Sequence, residues 1–283
     1  MKNSKALFHD FISRITIPES NDEIKSIAHL VFEKIMGLSR TDILAEKSVL
    51  VGTNAEAQLY AIVYRINQHE PIQYILEEAE FFGRYFKVNA SVLIPRPETE
   101  FLVQEVIVYS KNKASLKILD VGTGSGCIPV TLVKELPNVE VYATDISDEA
   151  LTVARENASR LQAAVTFIHH DILSEKIPYS SIDVVVSNPP YIAQAEEAMM
   201  NPNVLRYEPH LALFVPDDDS LRFYKAITTR ASEILKPGGL LAMEINERFG
   251  QEVAALLKAN RFESIEIVKD LDGKDRIVKG ILI

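Results

Sequence analysis

The chain has 283 residues, 47% of them hydrophobic and 25% charged, enough to bury one large core and one smaller one. Its 30 basic residues face 40 acidic ones, for a formal net charge of −10, and neither the part before residue 90 nor the part after it is basic, so attraction to a nucleic-acid backbone is not expected. A single cysteine excludes a disulfide framework and a cysteine-rich zinc site, no apolar run is long enough to span a membrane, and Asp10, Glu19, Asp22 and Glu23 near the start suit neither a secretory signal nor an organellar presequence.

Apolar residues at three- and four-residue spacing predict helices over 7–15, 22–36, 41–45 and 54–68. Two capping boxes, Ser20-x-x-Glu23 and Thr53-x-x-Glu56, mark starts, while Gly37 and Pro71 mark stops. A small helical bundle over 1–73 follows. Glu80-Phe81-Phe82, then Gly83-Arg84, then Tyr85-Phe86-Lys87-Val88 predict a β-hairpin within a linker over 74–95. The remainder, 96–283, forms the second domain.

That domain opens with a short apolar strand over 116–121, followed by Asp120-Val121-Gly122-Thr123-Gly124-Ser125-Gly126 and a helical run up to Pro137. Strand, tight turn and helix N-terminus make a nucleotide-binding α/β unit, with glycines where the backbone turns sharply and approaches a ligand. Cys127 stands where a dinucleotide fingerprint has glycine or alanine, and the Gly-Lys-Ser/Thr ending of a phosphate loop is absent. The D-x-G-x-G-x-G spacing instead resembles motif I of S-adenosylmethionine-dependent methyltransferases, which implies cofactor contacts from Asp120, Gly122, Thr123, Gly124, Ser125 and Gly126. A second strand, over 139–144, ends in Asp145, positioned either to accept hydrogen bonds from ribose hydroxyls or to cap the helix predicted over 148–161. A third, over 165–169, leads to Asp171 and Ile172, an acceptor for an adenine amino group with an apolar neighbour for the ring, or an ordinary turn.

The apolar run 182–186 closes on Asn188-Pro189-Pro190-Tyr191. A glutamine amide or an adenine amino nitrogen has a delocalised lone pair and two N–H donors, so holding it requires two acceptors. The Asn188 side-chain oxygen and the Pro189 carbonyl supply them, because proline at 189 and 190 fixes φ and removes competing N–H groups. Drawing on both N–H bonds enriches the nitrogen and aims its lone pair for in-line displacement, while Tyr191 packs against the flat group. Asn188 thus belongs to both the cofactor and the acceptor side. The tetrapeptide alone fits amide and adenine equally.

Further on, a helix is predicted over 221–235, with Asp217-Asp218-Asp219 as its cap, and a strand over 240–245 after Pro237-Gly238-Gly239. A helix over 251–259 and a terminal strand pair, 264–268 and 277–283, complete an α/β fold with a mostly parallel, seven-stranded sheet. Cys127 reads as packing in the helix after the loop, and His169 and His170 as structural, since no metal-ligand cluster accompanies them.

Pro71-Ile72-Gln73-Tyr74-Ile75-Leu76, Phe81-Phe82-Gly83, Leu93-Ile94-Pro95-Arg96-Pro97-Glu98-Thr99-Glu100, the glycine loop, Asn188-Pro189-Pro190-Tyr191, Tyr207-Glu208-Pro209 and the tail Asp270-Leu271-Asp272-Gly273-Lys274-Asp275-Arg276 occur in the order of the HemK/PrmC family. From residue 70 onward the chain resembles these peptide chain release factor glutamine N5-methyltransferases, and before it only in pattern. The resemblance implies a Rossmann-like methyltransferase domain that uses S-adenosylmethionine, yields S-adenosylhomocysteine, and modifies the glutamine of the Gly-Gly-Gln motif in class 1 release factors, modulating translation termination. It implies a cytoplasmic monomer whose helical domain grips a protein substrate. The alternative is an adenine-N6 methyltransferase on nucleic acid, for which basic-aromatic clusters are missing. Arg96 and Glu98, flanked by prolines between the domains, either close over the substrate or pair with neighbours. Two departures from the family pattern, Glu77 for a common glycine and His210 for a common arginine, bear on hairpin geometry and a surface loop.

Overall fold

A computed structural model describes residues 1–111 and 113–283, which separate into two compact units: 1–78 with 201–207, and 79–200 with 208–283.

The first unit is helical, with α1 (Ser4–Ser13), α2 (Asn21–Met36), α3 (Arg40–Leu44) and α4 (Thr53–Asn67). Their apolar faces meet around Ala28, Val31 and Phe32, all fully buried, and the rings of Phe8 and Phe11 stand edge-on to Phe32 at 5.2 and 5.6 Å. At the start of α2 the Ser20 hydroxyl accepts the Glu23 N–H at 3.2 Å, and at its end Gly37 takes the left-handed conformation (φ 63°) that a helix C-terminus favours. The box expected at Thr53 does not form: Thr53 is already helical and Gly52 is the cap, so the hydroxyl starts one position too late to reach the N–H groups of the first turn. A reciprocal capping box occurs instead at Ser39 and Asp42. The return segment 201–207 is tied in by the Tyr207 hydroxyl, which donates to the Gln68 carbonyl at 2.9 Å.

The second unit starts at Ala79, within a hairpin of Glu78–Phe81 with Arg84–Lys87. Its turn lies at Phe82 and Gly83, with φ 51° and 68°, one residue earlier than the sequence suggests. The Phe82 N–H donates to Glu100 at 2.8 Å, which holds a bulky residue in a conformation it would otherwise avoid.

Seven strands follow: β1 (Leu116–Val121), β2 (Val139–Asp145), β3 (Val165–His169), β4 (Ile182–Ser187), β5 (Leu235–Glu244), β6 (Phe262–Lys269) and β7 (Asp275–Leu282). They lie side by side as β6-β7-β5-β4-β1-β2-β3, and only β7 runs antiparallel to its neighbours. This is the mostly parallel sheet with one reversed strand that the sequence predicts. Helices α5 (Thr99–Ser110), α6 (Cys127–Glu135), α7 (Asp148–Arg160), α8 (Arg222–Ile234) and α9 (Gly250–Ala259) cover it. Two separate cores result, as a sheet buried on both faces requires. Helix α5 was not anticipated, although Leu102, Val103 and Val106 along it are fully buried. Strand β5 begins before Pro237-Gly238-Gly239, absorbing that turn as a register shift between Leu235 and Leu240. The aspartates at 217–219 do not cap α8: no side chain caps that helix, Asp217 accepts the Ala195 N–H at 2.8 Å, and Asp219 pairs with Lys225 at 2.6 Å.

Candidate active site

Chain order reverses across the sheet between β1 and β4, the place where an open α/β sheet leaves a crevice at the carboxyl ends of its strands. Here Val121 is the register partner of Ser187, so the loop opening at Gly122 and the tetrapeptide opening at Asn188 leave the sheet side by side. They share a cavity of about 230 Å³ whose wall also includes Asp145, Asp171, Ile172, Phe223 and Thr99.

The glycine loop is held by its neighbour strand: the N–H groups of Gly122 and Thr123 both donate to the Thr144 carbonyl at 2.9 Å. Gly122, Gly124 and Gly126 all have positive φ (74°, 54° and 79°). At Gly126 space is also limiting, since a Cβ would stand 3.1 Å from the Ala154 Cβ and 3.2 Å from its Cα. Nothing lies within 4 Å of a Cβ built on Gly122 or Gly124, so that side of the loop is open to a ligand.

Asp145 is half-buried at the end of β2, and its two oxygens accept the Gly124 and Ser147 N–H groups at 2.8 and 2.9 Å. Burial raises its pKa against those hydrogen bonds. Ser147, rather than Asp145, caps α7 by accepting the Ala150 N–H at 3.1 Å. Asp171 holds its own turn, accepting the Leu173 N–H at 2.9 Å and the Ser174 hydroxyl at 2.7 Å. Burial pushes its pKa up, but these donors outweigh it and leave the carboxyl below its ordinary value. Each carboxylate oxygen has a second lone pair, so both acids keep capacity to accept from a ligand.

Asp120 is placed differently. It is fully buried and absent from the cavity wall, and among the described residues no donor reaches either oxygen. Burial pushes its carboxyl up to about 7, reinforced by the charge of Asp145, while the Thr123 hydroxyl, close by but outside hydrogen-bond geometry, offsets part of this.

Asn188 is half-buried on the cavity wall, its Nδ2 donating to Thr99 Oγ1 at 3.0 Å. No protein donor among the described residues takes its Oδ1 or the Pro189 carbonyl, which leaves two acceptors at the head of the tetrapeptide. Tyr191 is not on the wall; its hydroxyl donates to Glu244 at 3.2 Å, and burial drives its pKa up. Arg96 lines the cavity and pairs at 2.6 Å with the buried Glu208, which also accepts the Ile94 N–H at 3.3 Å. Glu98 is off the wall, at the N-cap of α5. Cys127 is buried and its thiol pushed up to about 12 by burial, which keeps it protonated and unreactive.

Sequence reasoning missed Thr99, Phe223 and Glu244, and it set aside His170. That histidine is buried on the cavity wall with neither ring nitrogen bonded among the described residues. Its only sequence signal was its place beside Asp171. Among the described residues no cluster of His, Cys, Asp or Glu could hold a metal ion, and no helix is long and apolar enough to cross a membrane.

An open glycine turn, an acid at the end of the next strand and an apolar slot beside Asp171 suit the methionine, ribose and adenine parts of S-adenosylmethionine in turn. The fold and this site define an S-adenosylmethionine-dependent methyltransferase. The family model described as Methyltransferase small domain matches residues 97–206, and the one described as PrmC N-terminal domain matches residues 18–76. A release factor glutamine methyltransferase of Bacteroides thetaiotaomicron is 44% identical over 91% of this chain and 92% of its own. One of Flavobacterium psychrophilum is 41% identical over 95% of each, and one of Streptococcus pneumoniae 38% identical over 96% of each. The chain belongs to the release factor glutamine methyltransferase family. A solved methyltransferase from Pyrococcus furiosus, 16% identical with a TM-score of 0.52, covers 81% of this chain and 98% of its own, and supports the fold alone.

Proposed function

We propose that this enzyme methylates the side-chain amide nitrogen (N5) of the glutamine in the Gly-Gly-Gln motif of class 1 release factors, in the cytoplasm where those factors serve the ribosome. The observation that carries the reading is the adjacency of Gly122 and Asn188 at the ends of neighbouring strands, which brings cofactor loop and amide acceptors to one cavity. The curated relatives' activity selects the amide over adenine.

S-adenosylmethionine, when bound, supplies an electrophilic methyl on a sulfonium. Gly122, Thr123, Gly124, Ser125 and Gly126 are assigned to its methionine end, Asp145 to the ribose hydroxyls, and Asp171 with Ile172 to the adenine. Asp120 stands fully buried behind the loop and off the cavity wall, and no cofactor contact is assigned to it. Asn188 Oδ1 and the Pro189 carbonyl accept the two N–H groups of the glutamine amide, which orients its nitrogen and raises its electron density. Pro190 stiffens that carbonyl's direction. No strong base is needed, because the nitrogen's proton becomes acidic once the methyl is attached. Tyr191 holds the motif from below, and Arg96 edges the substrate side with Glu98 close by.

Incubation with labelled S-adenosylmethionine tests the reading. Label passes to a class 1 release factor and is lost when its Gly-Gly-Gln glutamine is replaced by alanine; label in DNA or RNA instead would sink the proposal. Asn188→Ala lowers turnover about a hundredfold or more with cofactor affinity largely kept. Normal turnover in that variant would remove Asn188 from the chemistry.

A further inference from the structure

A buried polar chain behind Asn188 decides which way its amide faces. Asn188 Nδ2 lies 3.0 Å from Thr99 Oγ1, and the Thr99 hydroxyl lies 2.6 Å from Glu244 Oε2. Thr99 and Glu244 are both buried, at 3% and 1% exposure. A hydroxyl has one proton to give, and at 2.6 Å its bond to Glu244 has the length of a charge-assisted O–H···O⁻ contact. With that proton committed to the carboxylate, Thr99 Oγ1 offers only lone pairs to its other neighbour. The Asn188 amide must therefore present its NH₂ to Thr99, which turns Oδ1 to the cavity. The other oxygen of Glu244 accepts the Tyr191 hydroxyl at 3.2 Å, so both ends of the tetrapeptide hang on one carboxylate.

We propose that Thr99 and Glu244 are positioning residues for the methyl transfer, a one-way hydrogen-bond relay that keeps the Asn188 oxygen aimed at the acceptor nitrogen. The inference rests on the acceptor role of Asn188 given above. It has a consequence for pH. Glu244 is buried, which raises its pKa; the Thr99 hydroxyl, the Arg276 charge and the Tyr191 hydroxyl favour its ionised form, while Glu98 opposes it. Once protonated, Glu244 donates to Thr99, the Thr99 proton turns to Asn188, and the amide rotates to show N–H groups to a substrate that offers only N–H groups there.

The test uses the full chain with a release factor at saturating labelled S-adenosylmethionine, and separates kcat from KM. Thr99→Val keeps the shape and removes the relay: kcat falls about a hundredfold, while KM for the release factor and cofactor affinity change little. Thr99→Ser restores most of the lost kcat. The kcat of the natural enzyme falls on acidification, and Glu244→Gln abolishes that acidic limb whatever its residual rate. Undiminished kcat in Thr99→Val, or an acidic limb that persists in Glu244→Gln, overturns the relay, and the second measurement decides even if Thr99→Val fails to fold. Asn188→Ala run alongside keeps the two readings apart: turnover retained there removes the role of Asn188 itself, whereas turnover lost there with both relay variants normal removes only the relay.

Discussion

Asp120→Asn removes a buried carboxyl that no hydrogen-bond partner satisfies among the described residues, and its effect depends on pH with a definite sign. In the unfolded chain this carboxyl loses its proton near 3.8, whereas in the folded protein it keeps the proton up to about 7. Between those values the folded state holds a proton that the unfolded state lacks, so the contribution to stability, complete below 3.8, is lost as pH rises through 7. A displacement of about three pH units at 1.36 kcal/mol each is about 4 kcal/mol in full, of which about 3 kcal/mol develops between pH 5 and pH 8. Asparagine keeps the shape and cannot ionise; its own unpaired amide costs about 1–3 kcal/mol, but equally at every pH. Urea unfolding of both proteins without cofactor, at pH 5, 6, 7 and 8, reads the difference directly. The stability of the variant relative to the natural protein climbs by about 3 kcal/mol over that range. A difference that stays flat would mean that Asp120 finds a partner or is already ionised in the folded state, and the burial argument would fail.

Gly126→Ala destabilises by about 2–4 kcal/mol, from a left-handed backbone that alanine resists and a methyl pressed against the backbone of Ala154; a loss below 1 kcal/mol in denaturant unfolding would show that α7 yields more easily than its packing suggests. Glu77, which stands at the position of a common family glycine, has φ 55°, so Glu77→Gly stabilises by about 0.5–1 kcal/mol net of glycine's greater unfolded freedom. A lower unfolding midpoint in that variant would contradict this.

The parts of the fold that proved legible were those written in local pattern. The strands over 116–121 and 165–169 appear as expected because apolar β-branched runs bounded by turns have few other outcomes. Helix α5 was not legible, since Pro95 and Pro97 just before it suggest an extended strap, and its buried face is answered only by a sheet assembled from later residues. The cap at Thr53 failed for a local reason: Gly52 and Thr53 are both competent caps, and a one-residue difference in helix start decides between them. At the site, glycines and prolines carry their signal in the backbone and could be read one at a time. Thr99 and Glu244 could not, because each is an ordinary residue until the fold places it 2.6 Å from the other across 145 positions of sequence. Arg96 was legible only as an open choice, and its contact with Glu208 joins two motifs, Pro95-Arg96-Pro97 and Tyr207-Glu208-Pro209, that sequence alone leaves unrelated.

The long-range placement follows from strand register. Val121 of β1, Ser187 of β4 and Met243 of β5 are consecutive neighbours across the parallel part of the sheet. The residue after each, Gly122, Asn188 and Glu244, is therefore delivered to the same edge, however far apart they stand in the chain. Alternate residues of a strand face opposite sides, so a slip of one position in β4 would exchange Ser187 and Asn188. Asn188 would then take the fully buried place that Ser187 holds, and its amide would leave Thr99. Ser187 opposes that slip, being fully buried with its hydroxyl donating to the Val121 carbonyl at 2.6 Å, a bond that ties the last residue of β4 to the last residue of β1. The same bond that holds the register thus ties the end of β1, where the glycine loop leaves the sheet, to the end of β4, where Asn188 leaves it, and the arrangement of the proposed site depends on a buried hydroxyl already committed to the Val121 carbonyl.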